Sequence, residues 1–231
     1  MNQSTDRNLG MPILMVAIGV IVGFVITLLS AMAYYNHKID VAKNSATATP
    51  TTSTKAADFR ADFVKLGVEH MSLTNHAVDA ALDNSPNATA TGAALYANGN
   101  TIGASVGSVY GKDAETTFDS VWKLHLDQFV NYAVAGKKGN AAAKQAALDS
   151  IQQNYTVPLA QYLAKANPNL PEADLQTALT MHVTMTAKMI DDHNAGDYTA
   201  EAADLDAANT HIEGLFSTLA GAIVKQYPAK F

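Results

Sequence analysis

Between Phe59 and Ile223 apolar side chains recur at steps of three and four residues, and this period leaves the chain one way to bury them. Side chains three or four positions apart share a face of an α-helix, whereas a half-buried strand alternates in steps of two. The first stripe is Phe59, Phe63, Leu66, His70, Leu73 and Ala77, stopping near Asn84-Ser85-Pro86. The second, over 88–110, carries Leu95, Ile102, Val106 and Val109 but also Gly92, Gly99, Gly103 and Gly107. Interior glycines each cost up to ~1 kcal/mol against alanine, which predicts a break near Asn98-Gly99-Asn100. The third stripe is Phe118, Val121, His125, Phe129 and Tyr132, with Asp113 as the expected N-cap and Gly136 as the expected end. A fourth helix over about 140–166 contains Pro158, which lacks a backbone donor and predicts a kink or restart. After the turn Asn167-Pro168-Asn169-Leu170-Pro171, Leu175, Leu179, His182, Met185 and Met189 form a fifth stripe that ends at Ala195-Gly196. Asp197 caps a sixth, through Leu205, Ala208, Ile212, Leu215, Leu219 and Ile223. Residues 56–231 therefore predict an all-α fold, an antiparallel bundle of about six helices joined by short turns.

A different pattern precedes the bundle. After a flank of residues 1–10, Met11 to Ala33 holds no charge over 23 residues. As a helix rising ~1.5 Å per residue it spans the ~30 Å hydrocarbon core of a membrane. Tyr34 and Tyr35 suit the interface, so residues 11–35 read as a transmembrane anchor. Ala31-Met32-Ala33 also fits a cleavage site, and a cleaved secretory signal is the second reading, although its apolar core runs to only about 7–15 residues. Arg7 on one side faces Lys38 and Lys43 on the other, so charge does not set the orientation. Residues 36–55, including the tract NSATATPTTSTK, read as a flexible stalk. Anchor, stalk and the absence of cysteine together predict a single-pass protein of the bacterial cell membrane whose C-terminal domain is extracytoplasmic.

Composition removes several chemistries. With no cysteine there is no disulfide, thiolate metal site or cysteine nucleophile. Residues 56–231 hold 11 basic and 19 acidic side chains, and Lys137-Lys138 is their only adjacent basic pair, which excludes nucleic acid as a partner. There is no Gly-x-Ser-x-Gly, no phosphate-cradling glycine loop and no His-Glu-x-x-His, so the domain is read as non-catalytic.

What remains is a recurring histidine frame. Gly67-x-x-His70-Met71, Trp122-x-x-His125-Leu126, Leu179-x-x-His182-Val183 and Ala208-x-x-His211-Ile212 each set an imidazole between apolar or small residues, as in a degenerate helical-hairpin repeat. Any one of them is readily satisfied as a core residue. Four buried imidazoles need four sets of hydrogen-bond partners, and turning them toward one ligand is an economical solution. No carboxylate stands three or four positions before these histidines, which disfavours a carboxylate-bridged di-iron site. His193-x-x-x-Asp197 is interrupted by Gly196 and is a weak metal motif. His182, Met185, Met189 and His193 step along one side of the fifth helix, and imidazole with thioether is a donor set that copper accepts. The candidate metal ligands are thus His70, His125, His182 and His211 with Met185 and Met189. Copper ion is the favoured occupant and haem, through bis-His or His/Met ligation, the weaker alternative. The competing reading is an envelope structural or interaction module with an envelope protein as partner, in which the histidines only pack.

The His-bearing helices, the Asn167–Pro171 turn, Ala195-Gly196-Asp197-Tyr198 and Gln226-Tyr227-Pro228 before Phe231 resemble a family of small exported bacterial helical proteins often labelled "copper amine oxidase-like". The resemblance covers about residues 59–231. It implies an extracytoplasmic helical domain with histidines at positions 70, 125, 182 and 211, and the family has no established activity. True copper amine oxidases are far larger β-rich enzymes with a cofactor-forming Asn-Tyr-Asp/Glu sequence. Here Asn154-Tyr155 is followed by Thr156 and Asn131-Tyr132 by Ala133, so amine oxidation is not carried over.

Overall fold

The structure is a computed structural model that describes residues 54–231. The apolar span Met11–Ala33 and the stalk up to residue 53 lie outside the described residues. No helix among the described residues is long and apolar enough to cross a membrane.

Every element follows from the helical period. Thr54 opens α1 (Lys55–Leu82), its hydroxyl accepting from the Ala57 backbone N–H at 3.1 Å. A turn through Asn84, at φ 52°, and Pro86 leads into α2 (Ala88–Tyr110). Only Gly111 separates α2 from α3 (Lys112–Lys137), and its φ of 96° is where a residue with a Cβ is strained. Gly111 rather than Asp113 is therefore the cap. Asp113 lies in the first turn, where a carboxylate favours the positive end of the helix dipole. Gly136 does not end α3: the helix runs on to Lys137, and the chain turns at Gly139, at φ 67°.

The predicted break in α2 is absent. Its glycines serve a different purpose, because a Cβ built on Gly99 would meet the Trp122 ring at 2.9 Å and one on Gly103 would strike the Asp119 carboxylate. The glycines let α2 and α3 approach closely, and that packing offsets their intrinsic cost.

At Pro158 the helix restarts, with the proline in its first turn behind a π turn. Asn140 caps α4 (Ala141–Ile151), which passes through the π-helical turn Gln152–Thr156 into α5 (Val157–Ala166). The Val157 N–H donates five residues back, to the Gln152 carbonyl. This one-residue shift of register absorbs the donor missing at Pro158 and keeps the rod continuous. It also turns Tyr155 and Thr156 inward to full burial. After Pro171 come α6 (Glu172–Ala195), which ends at left-handed Gly196, and α7 (Tyr198–Gln226), capped by Asp197. A 3-10 turn, Pro228–Lys230, follows.

With α4 and α5 counted as one rod, six rods pack in a ring: each touches the next in sequence and α7 closes against α1. α1, α3 and α6 also touch one another across the middle. The three rods that meet at the axis are those that carry His70, His125 and His182.

Candidate metal centre

At the axis the three imidazoles converge. His70 from α1, His125 from α3 and His182 from α6 are at most 2% exposed. Their ring centroids lie 5.6 Å (His70–His125), 6.1 Å (His70–His182) and 6.4 Å (His125–His182) apart. One ring nitrogen from each falls within 4.8 Å of the others. Bonds of ~2.0–2.1 Å in a tetrahedral shell place nitrogens about 3.4 Å apart, so the rings would have to draw together to share an ion.

The surroundings are aromatic rather than charged. Trp122, one turn before His125, packs its ring on His70 at 4.9 Å and meets His125 edge-on at 4.8 Å. Gly99 makes room for that indole. Tyr155, delivered by the π turn, stacks on His125 at 4.1 Å with 23° between the planes. Thr74 and Thr186, each four residues after a site histidine, donate their hydroxyls to the carbonyls of His70 and His182 at 2.8 and 2.9 Å. This His-x-x-x-Thr spacing on both helices is a signal that the period alone does not reveal.

Burial dominates the electrostatics. It lowers the His70 pKa to about 4, opposed by Asn98 beside it, and that of His182 to about 3, helped by His70 and His211. His125 is held well below the ordinary histidine range by burial first and by its two imidazole neighbours second. All three rings are thus neutral near pH 7, and each keeps a lone pair for a ligand. Five of the six ring nitrogens, all except His70 Nε2, meet no partner at hydrogen-bonding geometry, although the Trp122 backbone lies near enough to His125 to favour its proton, and Trp122 Nε1 and the Tyr155 hydroxyl have no partner either. An unpaired buried polar atom costs about 1–3 kcal/mol. These unpartnered atoms are concentrated where α1, α3 and α6 meet.

Of the other predicted ligands, His211 makes its hydrogen bond elsewhere and the two methionines are packed in or against the apolar core. His211 is half-buried on α7 and donates its Nε2–H to the Ala178 carbonyl at 2.9 Å, so its ring ties α7 to α6 instead of joining the trio. Met189 belongs to the apolar core at 1% exposure, and Met185 packs half-buried against it. The expected His182-to-His193 stripe serves two places, because eleven residues of helix separate the imidazoles by about 16 Å along the axis.

His193 has its own cluster, which the sequence reading did not find. Its Nδ1 lies 3.0 Å from Glu201 Oε2 on α7 and 3.1 Å from Asp79 Oδ1 on α1, and its Nε2 lies 3.3 Å from Asp83 Oδ1. Asn75 donates to the second Glu201 oxygen at 2.6 Å. Burial alone would lower the His193 pKa, but the carboxylates outweigh it and raise it. Burial, Glu201 and Asp83 push the Asp79 carboxyl up to about 7 against the opposing His193. These acids come from other helices, so spacing along α6 cannot reveal them. The available signal was the polar stripe Asn75, Asp79 and Asp83 on an otherwise apolar face of α1.

Compared with protein-family models, with curated proteins and with solved structures, the chain returns no match.

Proposed function

We propose that the domain binds a transition-metal ion, copper(I) in preference to a dication, through His70, His125 and His182, without catalysing a reaction. The observation that carries this reading is the trio of buried, neutral imidazoles with five unpartnered nitrogens and no carboxylate among their ligand atoms. Imidazole nitrogen suits copper and zinc. Transfer of an ion into a low-dielectric interior costs in proportion to the square of its charge, so a site with no anion favours the monovalent ion. Aromatic walls of Trp122 and Tyr155 keep water out, which protects a readily oxidised ion. We place the domain outside the cytoplasm, held to the cell membrane by residues 11–35 and its stalk.

The test is a competition titration of the purified full-length chain with copper(I) against a chromophoric chelator. Uptake of one equivalent, lost in His125→Leu and retained in His211→Leu, is the expected outcome. Equal uptake by all three proteins would remove the trio as the site. The stack of His125 on Tyr155 supports a second reading, an envelope module with purely structural histidines. It expects His125→Leu to fold with unchanged stability and copper(I) to leave the melting temperature alone.

A further inference from the structure

We infer that Asp79, His193 and Glu201 form a second, separate metal site, one for a divalent transition ion of the zinc type, at the end of the bundle where α6 turns into α7. One ligand atom from each residue falls within 4.8 Å of the others, and the three residues come from three different helices. A single ring nitrogen, His193 Nδ1, faces two carboxylate oxygens, Glu201 Oε2 at 3.0 Å and Asp79 Oδ1 at 3.1 Å. A proton on Nδ1 serves only one of them, so Asp79 Oδ1 is left to share a proton with Glu201 or to bind a cation. A cation among the three atoms satisfies all of them at once.

The outer contacts are those a metal site needs. With Nδ1 as ligand, the proton sits on Nε2, which donates to Asp83 Oδ1 at 3.3 Å. That is the carboxylate–histidine–metal arrangement that fixes the tautomer and the ring plane. Asn75 Nδ2 holds Glu201 Oε1 at 2.6 Å and leaves Oε2 free to bind. Two ligand carboxylates cancel the charge of a dication, and the imidazole selects against magnesium and calcium, which prefer all-oxygen shells. Asp79 is the route in: its side chain is 29% exposed while those of His193 and Glu201 are under 10%. The central trio offers imidazoles without carboxylates, so the two sites sort ions by charge.

The experiment uses the full-length chain stripped with chelator, titrated with zinc chloride, and read by calorimetry and by the ring-nitrogen resonances of its histidines. Wild type should take up zinc with a large shift of His193 Nδ1. Asp79→Asn/Glu201→Gln should bind at least tenfold more weakly, and His125→Leu should bind within twofold of wild type. Zinc uptake by the double variant equal to wild type, or His193 resonances that do not move at saturating zinc, would overturn the inference. If the double variant does not fold, the wild-type resonances decide alone. Copper(I) uptake on the same preparations separates failure of this site from failure of the central one.

Discussion

His125 shows what a fully buried, uncharged imidazole implies. Its neighbours are the Tyr155 and Trp122 rings, Phe129 at 6.1 Å and two further neutral imidazoles, and none offers it a counter-charge. Each trio histidine is protonated in the unfolded chain below about pH 6.5 but stays neutral in the folded one down to about 4 for His70 and about 3 for His182. The unfolded state therefore binds more protons across that window, and stability falls as pH falls, by about 1.4 kcal/mol per pH unit for each group. Asp79 works in the opposite sense. Its carboxyl is protonated in the fold up to about 7 and ionised when unfolded, so the stability it contributes is present at low pH and lost as pH rises. His193, with its raised value, has the same sign. Between pH 6.5 and 5 His193 is protonated in both states and drops out, so three groups outweigh Asp79 alone and urea unfolding should give a lower stability at pH 5 than at pH 7. The variant His70→Leu/His125→Leu/His182→Leu retains only the Asp79 and His193 contributions, and its stability should instead rise on acidification. A wild-type stability that is flat across this window would mean the trio is charged or solvated.

Among the elements, the glycines separate close packing from mere tolerance. A Cβ on Gly67 would lie 2.6 Å from the Phe216 ring, which is 2% exposed and walled in by Phe63 and Trp122. Gly67→Ala should therefore cost about 1–3 kcal/mol through overpacking. Gly92 in α2 has nothing within 4 Å of the added atom, so Gly92→Ala should gain about 0.4–1 kcal/mol by lowering unfolded-chain entropy and raising helix propensity. Chemical denaturation of the two variants checks the opposite signs, and equal effects would refute the close approach of α1 to α7. The same residues show where sequence reading works. The period gave helix type and extent, and caps such as Asp197 were legible because their signal is local. Gly99 looked like a breaker because its cost is local while its benefit, space for Trp122, comes from another helix. Pro158 was legible as a disturbance, but its resolution as a π turn depends on the burial of Tyr155, which no local rule encodes.

Over the whole molecule, the candidate sites depend on which helices meet, and that is a long-range property. The histidine frame named four positions, three on the apolar stripes of their helices and His211 beside its stripe. Closing six rods into a ring brings α1, α3 and α6 to the axis and leaves His211 on α7 bonded to Ala178. The second cluster was hidden for the same reason, since its acids stand on α1 and α7 far from His193 in sequence. A ligand held by three axial helices is bound by the native fold and not by the unfolded chain, so copper(I) should stabilise the entire bundle in one transition. At a free concentration a hundred times the dissociation constant the gain is about 2.7 kcal/mol. For a domain of this size, each kcal/mol raises the melting temperature by about 2–4 °C, giving about 5–11 °C. Scanning calorimetry of the full-length chain should show that rise for wild type and for His211→Leu, and none for His125→Leu. A rise confined to a partial, early transition would mean the ion holds one helix pair rather than the axis, and no rise in wild type would leave the imidazoles as packing alone.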